Sequence, residues 1–354
     1  MELSKDAVLA ALRGIADPVS GGNLIDAGVA RAINVEPDGT VRFIMEIDPA
    51  QARVMEPVLS RAEAAIRALP GAGKVVGVLT AHSDQPAPDL KPRPKPQSAP
   101  EAVPGVKHVI AIASGKGGVG KSTVSANLAV ALAAEGRAVG LLDADVYGPS
   151  QPRMMGITAR PASGDDKTII PPDGHGVKLM SLGLMTKEDE AVIWRGPMLM
   201  GALQQMLFQV QWGDLDCLII DLPPGTGDVQ LSLSQKAHVD GAIVVSTPQD
   251  IALLDARKGI DMFQRLNVPI LGLIENMAVH VCVNCGHAEH IFGHGGVAAE
   301  AQKLGVPLLG ELPLEMDVRT ASDGGMPVVL SAPDSRSAQA FRKLARGLIE
   351  AGIA

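Results

Sequence analysis

A glycine-rich loop at residues 115–122 constrains the fold of this chain more than any other segment. It reads Gly-Lys-Gly-Gly-Val-Gly-Lys-Ser and lies between an apolar run at 108–113 and a helical pattern at 123–135. The glycines let successive backbone N–H groups surround a phosphate at a helix N-terminus, while Lys121 reaches the β- and γ-oxygens and Ser122 binds Mg²⁺. A glycine-rich turn without function would not need this strand–loop–helix context. The sequence therefore predicts a nucleotide site.

Two acidic sites follow further apolar runs. Asp143 and Asp145 come directly after the run 138–142, and Asp221 ends the run 217–220. Because ligands of doubly wound α/β folds bind at the carboxyl ends of the strands, we expect these carboxylates beside the loop. An apolar strand that ends in aspartate next to such a loop is typical of a Walker B site for Mg²⁺. We therefore predict an α/β P-loop NTPase domain with a mainly parallel, doubly wound sheet.

Cys282 and Cys285 form a C-x-x-C pair shortly after the apolar run 270–274. Two thiolates at this spacing can bind one metal centre, but a structural zinc ion or an iron–sulfur cluster normally takes four ligands. A dimer with its two pairs face to face would supply four thiolates to a bridging cluster, of either the [4Fe–4S] or the [2Fe–2S] type. Alternatively, His287 and His290 complete a zinc site within one chain, or the pair forms a redox disulfide.

Together these motifs resemble the deviant Walker A ATPases and, among them, the Mrp-type iron–sulfur cluster carriers. The likeness covers the chain from about residue 105 to its end. It rests on five segments: GKGGVGKST at 115–123, DADVYGPS at 143–150, WRGP at 194–197, DLPPGTGD at 221–228 and ENM at 275–277. No role follows for Trp194 or Arg195. The resemblance implies a homodimer in which Lys116 reaches the partner's nucleotide and acts on the transition state in trans.

The resemblance also implies roles for individual residues. Lys116 and Lys121 would stabilise charge on the transferring phosphoryl group, and Asp145 would orient the attacking water. Asn276 would contact the adenine ring, unless it is a turn or capping asparagine. The Mg²⁺ ligands would be Ser122, Asp143 and Asp221. The nucleotide contacts would be Gly115, Lys116, Gly117, Gly118, Val119, Gly120, Lys121, Ser122, Thr123 and Asn276.

The chain divides into three predicted parts. Residues 1–82 form a small α+β domain with helices at 5–16 and 52–69 and strands at 33–35, 41–47 and 75–79; residues 83–104 are a proline-rich linker; residues 105–354 are the ATPase domain. The segment 17–28 resembles the small domain of iron–sulfur assembly factors. That family often has a reactive cysteine after its second strand, whereas 48–52 contains none here. We therefore assign this domain to recognition or regulation rather than to cluster binding.

Composition excludes several classes of protein. A formal net charge of −8 and an aromatic share of 2% disfavour nucleic-acid binding. No apolar run reaches the length of a membrane span, and the first residues lack the pattern of a secretory signal. Three cysteines, with Cys217 as a core residue and the other two as ligands, fit a reducing compartment, which we expect to be the cytoplasm. The amphipathic segment 341–349 is read as a helix that packs on the sheet rather than on a membrane.

The motifs and the resemblance together imply a slow ATPase that carries a labile iron–sulfur cluster, expected to be a bridging [4Fe–4S] cluster, between the subunits of a homodimer. Its predicted partners are apo iron–sulfur client proteins and assembly scaffold proteins, without stable membrane association. The alternative is a spatial-positioning or partitioning ATPase that binds a membrane or a filament, with the cysteines holding zinc or no metal. A reductase like the nitrogenase iron protein is disfavoured, because its cluster cysteines lie on separate loops.

Overall fold

The computed structural model describes residues 3–36, 38–48, 51–81, 99–165, 168–185 and 196–354. The chain divides into two compact units, residues 1–95 and 96–354. Most of the predicted linker at 83–104 lies outside the described residues, as do Trp194 and Arg195. The exact domain boundaries stay a prediction.

The first unit is a three-stranded sheet with two helices. Its elements are α1 (Lys5–Arg13), β1 (Ala30–Val35), β2 (Val41–Ile47), α2 (Ala52–Arg67) and β3 (Val75–Ala81). Strand β2 pairs antiparallel with β1 and parallel with β3. Alternate residues of β2 are buried, and α2 buries Met55, Val58, Ala62 and Ile66, which recur at helical spacing. The predicted small α+β unit is confirmed, with element bounds shifted by a few residues.

The second unit begins with the elements that the nucleotide motifs predicted. Its elements up to the Walker B strand are β4 (Val106–Ala113), α3 (Lys121–Ala134), β5 (Val139–Asp143), α4 (Gln151–Met154), β6 (Ala162–Ser163), β7 (Ile169–Ile170), β8 (Asp173–Gly174), β9 (Val177–Ser181), α5 (Gly196–Phe208) and β10 (Leu215–Asp221). The remaining elements are α6 (Asp228–Lys236), β11 (Gly241–Ser246), α7 (Asp250–Arg265), β12 (Ile270–Glu275), β13 (His280–Val281), β14 (Ala288–Glu289), α8 (Gly296–Leu304), β15 (Leu308–Glu311), α9 (Met316–Asp323), α10 (Val328–Ser331) and α11 (Arg336–Glu350).

An eight-stranded sheet organises this unit, in the order β15-β12-β11-β4-β10-β5-β9-β8. Only β8 runs antiparallel to its neighbour; the other pairs are parallel. One core packs α3 and α11 against one face, and a second packs α5 and α6 against the other. The mainly parallel, doubly wound P-loop NTPase fold is confirmed. Parallel strands bring their carboxyl ends to one edge, so the loops after β4, β5, β10 and β12 share it.

Helix α11 contains the C-terminal amphipathic segment, and its apolar face is buried. Phe341, Leu344 and Leu348 are buried in the same core as α3. The apolar face of the helix is therefore covered by protein, as the packing interpretation predicts, and is not presented to a membrane. Among the described residues, no helix combines the length and apolar character that crossing a bilayer requires.

Candidate functional site

The glycine-rich loop joins the central strand β4 to helix α3, as the sequence predicts. Gly118 and Gly120 have φ angles of +82° and +84°, a region that side chains with a Cβ atom rarely adopt. Gly115 is required for a different reason, because a Cβ atom there would overlap the backbone of Asp255 in α7. The loop is thus held closely against α7. Lys116, the next residue, is exposed, while its carbonyl oxygen accepts a hydrogen bond from Ser114 Oγ at 3.0 Å.

Lys121 is buried and forms an ion pair with Asp221, which is also buried. Its Nζ lies 2.7 Å from Asp221 Oδ1 and 3.1 Å from Ser122 Oγ. Ser125 Oγ donates to the same Asp221 oxygen at 2.8 Å. The structure therefore brings together the P-loop lysine, the predicted Mg²⁺-binding hydroxyl and the Walker B carboxylate. A phosphate that binds at this loop competes with Asp221 for the Lys121 ammonium group.

Asp143 and Asp145 lie beside this pair, because β5 and β10 are neighbours and Asp143 is in register with Asp221. Asp143 Oδ2 accepts hydrogen bonds from the N–H groups of Ser150 and Gln151, each at 3.1 Å, and from the Ser181 hydroxyl at 3.1 Å. The carboxylate therefore organises the loop that follows β5. Asp145 is half-buried, and burial raises its pKa, while Lys121 acts in the opposite direction. The metal role of Asp143 stays a prediction.

Burial raises the pKa of Asp143 to about 7, and the neighbouring Asp221 carboxylate adds to the effect. An aspartate in the unfolded chain ionises near pH ~4. Between these values the folded protein holds a proton that the unfolded chain has released, so its stability falls as the pH rises. We expect the metal-free protein to lose about 2–3 kcal/mol of unfolding free energy between about pH 5 and pH 8 through this group. Urea unfolding followed by tryptophan fluorescence measures the loss.

The variant Asp143→Asn is the control for this pH dependence. It cannot release a proton, so its stability is expected to change less across the same pH range, whatever its absolute value. Equal slopes for the wild type and the variant would mean that Asp143 titrates at its ordinary pKa in the folded protein.

Two glutamines in the site carried no motif signal. Gln151 Nε2 donates to Asp221 Oδ2 at 2.9 Å and to the Ser122 carbonyl oxygen at 3.0 Å. Gln230 Nε2 donates to the carbonyl oxygens of Pro223 and Gly225 in the loop after β10, at 2.8 and 3.0 Å. Each side-chain amide holds a loop that the sequence motifs identified. The motifs did not indicate which residue holds the loop in place. The only sequence signal for Gln151 is its place directly after Pro149 and Ser150.

Asn276 follows β12 and contacts the glycine-rich loop directly. Its Nδ2 donates to the Val119 carbonyl oxygen at 2.8 Å, and a Cβ atom at Gly120 would overlap the same nitrogen. The backbone N–H of Asn276 donates to the Ser246 carbonyl oxygen at 2.8 Å. Asn276 is therefore a structural link between the nucleotide loop and the segment that leads to the cysteines. Its contact with the adenine ring stays a prediction.

The cysteine pair lies in the turn of a short hairpin. Strands β13 and β14 are antiparallel, and within the turn the N–H of Cys282 donates to the His287 carbonyl oxygen at 2.9 Å while the N–H of Gly286 donates to the Cys282 carbonyl oxygen at 2.8 Å. Hydrogen bonds from the backbone N–H groups of Cys285 and Asn284 lower the pKa of the Cys282 thiol. Cys282 is half-buried and Cys285 is exposed. The turn thus makes the Cys282 thiol easier to ionise and leaves Cys285 accessible.

His290, one of the two histidines of the alternative zinc site, contacts a backbone carbonyl and a second histidine. His290 Nδ1 lies 2.7 Å from the Ala278 carbonyl oxygen, and its ring contacts that of His294 with centroids 4.2 Å apart. In the part of the chain that the structure describes, no group of three or more His, Cys, Asp and Glu side chains is placed to hold a metal ion. One chain therefore offers a pair of thiolates. Cys217 is fully buried in β10, where burial raises its pKa to about 12.

Residues 105–349 match the family described as NUBPL iron-transfer P-loop NTPase. The chain belongs to this family. Residues 5–79 match a second family, described as iron-sulfur cluster assembly protein. The resemblance to Mrp-type carriers with a small assembly-type domain in front is thereby confirmed.

Relatives of this P-loop NTPase carry names that refer to iron–sulfur clusters. An iron-sulfur cluster carrier protein of Synechocystis is 43% identical over 349 residues, which cover 97% of this chain and 96% of that one. Another from Pseudomonas fragi is 53% identical over 255 residues, which cover 71% of this chain and 89% of that one. The iron-sulfur cluster carrier protein of Escherichia coli K12 is 54% identical, with coverage of 68% and 66%.

Two solved structures share the fold. A nucleotide-binding protein from Archaeoglobus fulgidus, solved in complex with ADP, has a TM-score of 0.57 and 39% identity over 65% of this chain and 90% of that one. The cell division ATPase MinD from Pyrococcus furiosus has a TM-score of 0.54 and 25% identity over 69% of this chain and 99% of that one. Both likenesses agree with the P-loop NTPase fold described above.

Proposed function

We propose that this chain is an ATP-binding and slowly ATP-hydrolysing homodimer that carries an iron–sulfur cluster on Cys282 and Cys285 and transfers it to apo-proteins. The cluster is cargo, and the nucleotide regulates how it is held. The names of the relatives support the carrier role, and the buried Lys121–Asp221 pair beside Ser122 supports the nucleotide role.

One observation carries this proposal: the nucleotide loop and the cysteine turn are linked through Asn276. The bond from Asn276 to the Val119 carbonyl holds one end of the segment 276–282 on the loop. Glu275, the residue before, is fully buried, and its carboxylate accepts hydrogen bonds from the N–H groups of Gly295, at 3.4 Å, and Val297, at 2.9 Å, at the start of α8. Both flanks of the hairpin are therefore fixed to elements at the nucleotide edge.

This linkage gives a route for nucleotide control. A nucleotide that rearranges the loop at Val119 displaces the acceptor of the Asn276 amide, and the cysteine turn begins only a few residues later. A shift of this kind changes how closely the cysteine pairs of two subunits approach each other. The nucleotide thus biases two arrangements of the dimer, one that holds the cluster and one that releases it.

The residue chemistry fits Mg²⁺ and ATP. Mg²⁺ prefers hard oxygen ligands, which Ser122 and Asp221 provide, with Asp143 in the same pocket. Bound Mg²⁺ would neutralise charge on the β- and γ-phosphates. Lys121 binds these phosphates, Asp145 orients the attacking water, and Lys116 acts on the partner subunit's nucleotide. Asn276 reaches the base with the amide oxygen that its bond to Val119 does not use.

The cluster requires two subunits because one chain presents two thiolates. A [4Fe–4S] or [2Fe–2S] cluster takes four cysteine ligands. Among the described residues, Cys282 and Cys285 do not belong to a group of three or more His, Cys, Asp and Glu side chains that could hold a metal ion. Two turns face to face complete the set. The accessible position of Cys285 suits ligand exchange with a client protein. We assign recognition of clients or of assembly scaffold proteins to the first unit, and cytoplasmic location to the whole protein.

Anaerobic reconstitution with iron and sulfide tests this function. The wild-type protein is expected to bind about four iron and four sulfide per dimer, to show a broad visible absorption band, and to activate an apo iron–sulfur enzyme. The double variant Cys282→Ser/Cys285→Ser is expected to lose the cluster and the activation. Cys217→Ser is the matched control, because it removes a thiol from the core and leaves the turn unchanged.

Three outcomes would contradict the proposal. They are tightly bound zinc without a cysteine-dependent absorption band, a cluster that persists in the double variant, and normal maturation of client enzymes by that variant.

A further inference from the structure

A cavity of about 440 Å³ opens between strand β15 and helix α11 of the second unit. Strand β15 stands at one end of the eight-stranded sheet, so one of its two edges has no strand beside it among the described residues. Leu308 and Leu309, both half-buried, line the cavity from β15. Helix α11 lines it with residues three or four positions apart, which are Gln339, Lys343, Gly347 and Glu350. None of these residues belongs to the nucleotide loop or to the cysteine turn.

Gly347 is a glycine inside a helix at a position where the chain itself does not require one. Its φ angle lies outside the left-handed region, and a Cβ atom there would meet no neighbouring atom within 4 Å. Glycine is less favourable than alanine in the interior of a helix. The missing side chain leaves the α11 side of the cavity open. The backbone of another molecule can therefore approach the helix closely at this point.

The rim of the cavity is basic, although the chain as a whole has a formal net charge of −8. Two basic side chains, Lys343 and Arg346, line it together with one acidic side chain, Glu350. The Arg346 guanidinium is engaged with Glu135, whose Oε1 lies 3.0 Å from both Nε and Nη2. Lys343 is exposed and forms no ion pair with the described residues. A ligand of this cavity is therefore expected to bring a carboxylate to Lys343.

A strand edge beside a groove is suited to an extended peptide. Such a peptide adds to the edge through backbone hydrogen bonds, and its alternate side chains enter the neighbouring pocket. Leu308, Leu344 and Leu348 offer apolar contacts to these side chains. A second copy of this chain is a poorer occupant, because a symmetric contact would place the basic rim of one groove against that of the other.

We propose that the groove between β15 and α11 binds an extended acidic segment of a partner protein. The segment pairs with the free edge of β15, passes over Gly347 and places a carboxylate opposite Lys343. This site goes beyond the proposed function, because it needs neither the nucleotide nor the cluster. It gives the second unit a contact with partner proteins of its own, besides the recognition assigned to the first unit.

Selection from a displayed library of short random peptides tests this site, with the immobilised full chain as the target. The enriched peptides are expected to combine acidic residues with apolar residues at alternate positions. An enriched peptide, synthesised with a fluorescent label, then gives the affinity by anisotropy, and its binding is expected to slow amide hydrogen exchange in β15. The absence of enriched peptides, the enrichment of basic peptides, or unchanged exchange in β15 would each overturn the inference.

Two variants alter the groove directly. Gly347→Leu fills it from the helix side, so the affinity for the peptide is expected to fall by about 10-fold or more; leucine is a better helix former than glycine, so the urea midpoint is not expected to fall. Lys343→Glu is expected to lower the affinity by about 10-fold or more through like-charge repulsion. Lys236→Glu is the matched control, because it makes the same change of charge at an exposed lysine at the end of α6. Its affinity is expected to equal that of the wild type.

Gly347→Ala keeps the inference testable if Gly347→Leu does not fold. Alanine favours the helix and narrows the groove, so the urea midpoint is expected to rise while the affinity for the peptide falls by about threefold or more. Wild-type affinity in the Gly347 variants would place the peptide elsewhere on the protein and overturn the inference. A wild-type assembly that Gly347→Leu dissociates, measured by analytical ultracentrifugation, would identify a second copy as the occupant and would overturn it as well.

Discussion

Replacing Lys116 with alanine is expected to lower the rate of ATP hydrolysis by about 10³-fold, the lower end of the effect of a charge supplied to a phosphoryl-transfer transition state by a partner. Lys116 is exposed on the loop, whereas Lys121 is buried against Asp221. The two lysines of one motif are therefore in different environments. Nucleotide affinity is expected to change by less than about fivefold, because an exposed charge contributes little to ground-state binding.

Steady-state phosphate release and equilibrium titration with the nucleotide separate these two effects. Lys236→Ala is the matched control, because Lys236 is also an exposed lysine but lies at the end of α6. Its hydrolysis rate and nucleotide affinity are expected to equal those of the wild type. A Lys116→Ala protein that hydrolyses ATP normally would remove Lys116 from the catalytic residues.

Mixed dimers test whether Lys116 acts in trans. A Lys116→Ala subunit still binds nucleotide, and a Lys121→Met subunit binds it poorly but retains Lys116. When the two inactive variants are mixed, nucleotide on the first subunit receives Lys116 from the second, so activity is expected to return. Two results together would indicate that Lys116 acts within its own subunit: no recovery of ATP hydrolysis on mixing, and a wild-type hydrolysis rate per subunit that does not depend on protein concentration.

The fold was largely predictable from the sequence because its strongest signals are local. An apolar strand, a glycine-rich loop and a helix are adjacent in the chain at 106–134, and this adjacency identified the central strand and its ligand edge. The carboxylates of Asp143 and Asp221 come together as expected. Each residue ends one of two neighbouring parallel strands, and the two residues are in register.

The supporting contacts were not predictable, because they join residues that are distant in sequence and of common types. Gln151 contacts Asp221, and Asn276 contacts Val119. In each pair the two residues are far apart in the sequence, so a local sequence pattern cannot predict the contact. The contact of Asn276 with the base stays a prediction, whereas the bond of its amide nitrogen to the loop had no signal in the sequence. His290 follows the cysteines closely in sequence, but its ring nitrogen is directed to the Ala278 carbonyl. Proximity in sequence alone therefore does not assemble a ligand set.

Removing the positive charge of Lys121 is expected to destabilise the metal-free protein by about 3–5 kcal/mol, because the buried Asp221 carboxylate then has no counter-ion. Nζ of Lys121 lies 2.7 Å from Asp221 Oδ1, and both side chains are almost inaccessible, at 6% and 0% exposure. Lys121→Met keeps most of the side-chain volume, so a cavity contributes little. Affinity for ATP is expected to fall by about 10- to 100-fold, through loss of a charged hydrogen bond to the phosphates.

The double variant Lys121→Met/Asp221→Asn separates these two losses. Neutralising Asp221 removes the unpaired buried charge, so at least about 2 kcal/mol of stability is expected to return, while ATP affinity stays low because the phosphates still lack their cation. Urea unfolding followed by the fluorescence of Trp212, which is buried beside the sheet, measures the first effect, and nucleotide titration measures the second. A double variant no more stable than the single one would attribute the loss to packing of the lysine stem. Recovery of stability without binding would show that the loss in the single variant comes from the unpaired charge of Asp221, and that nucleotide binding needs the Lys121 cation itself.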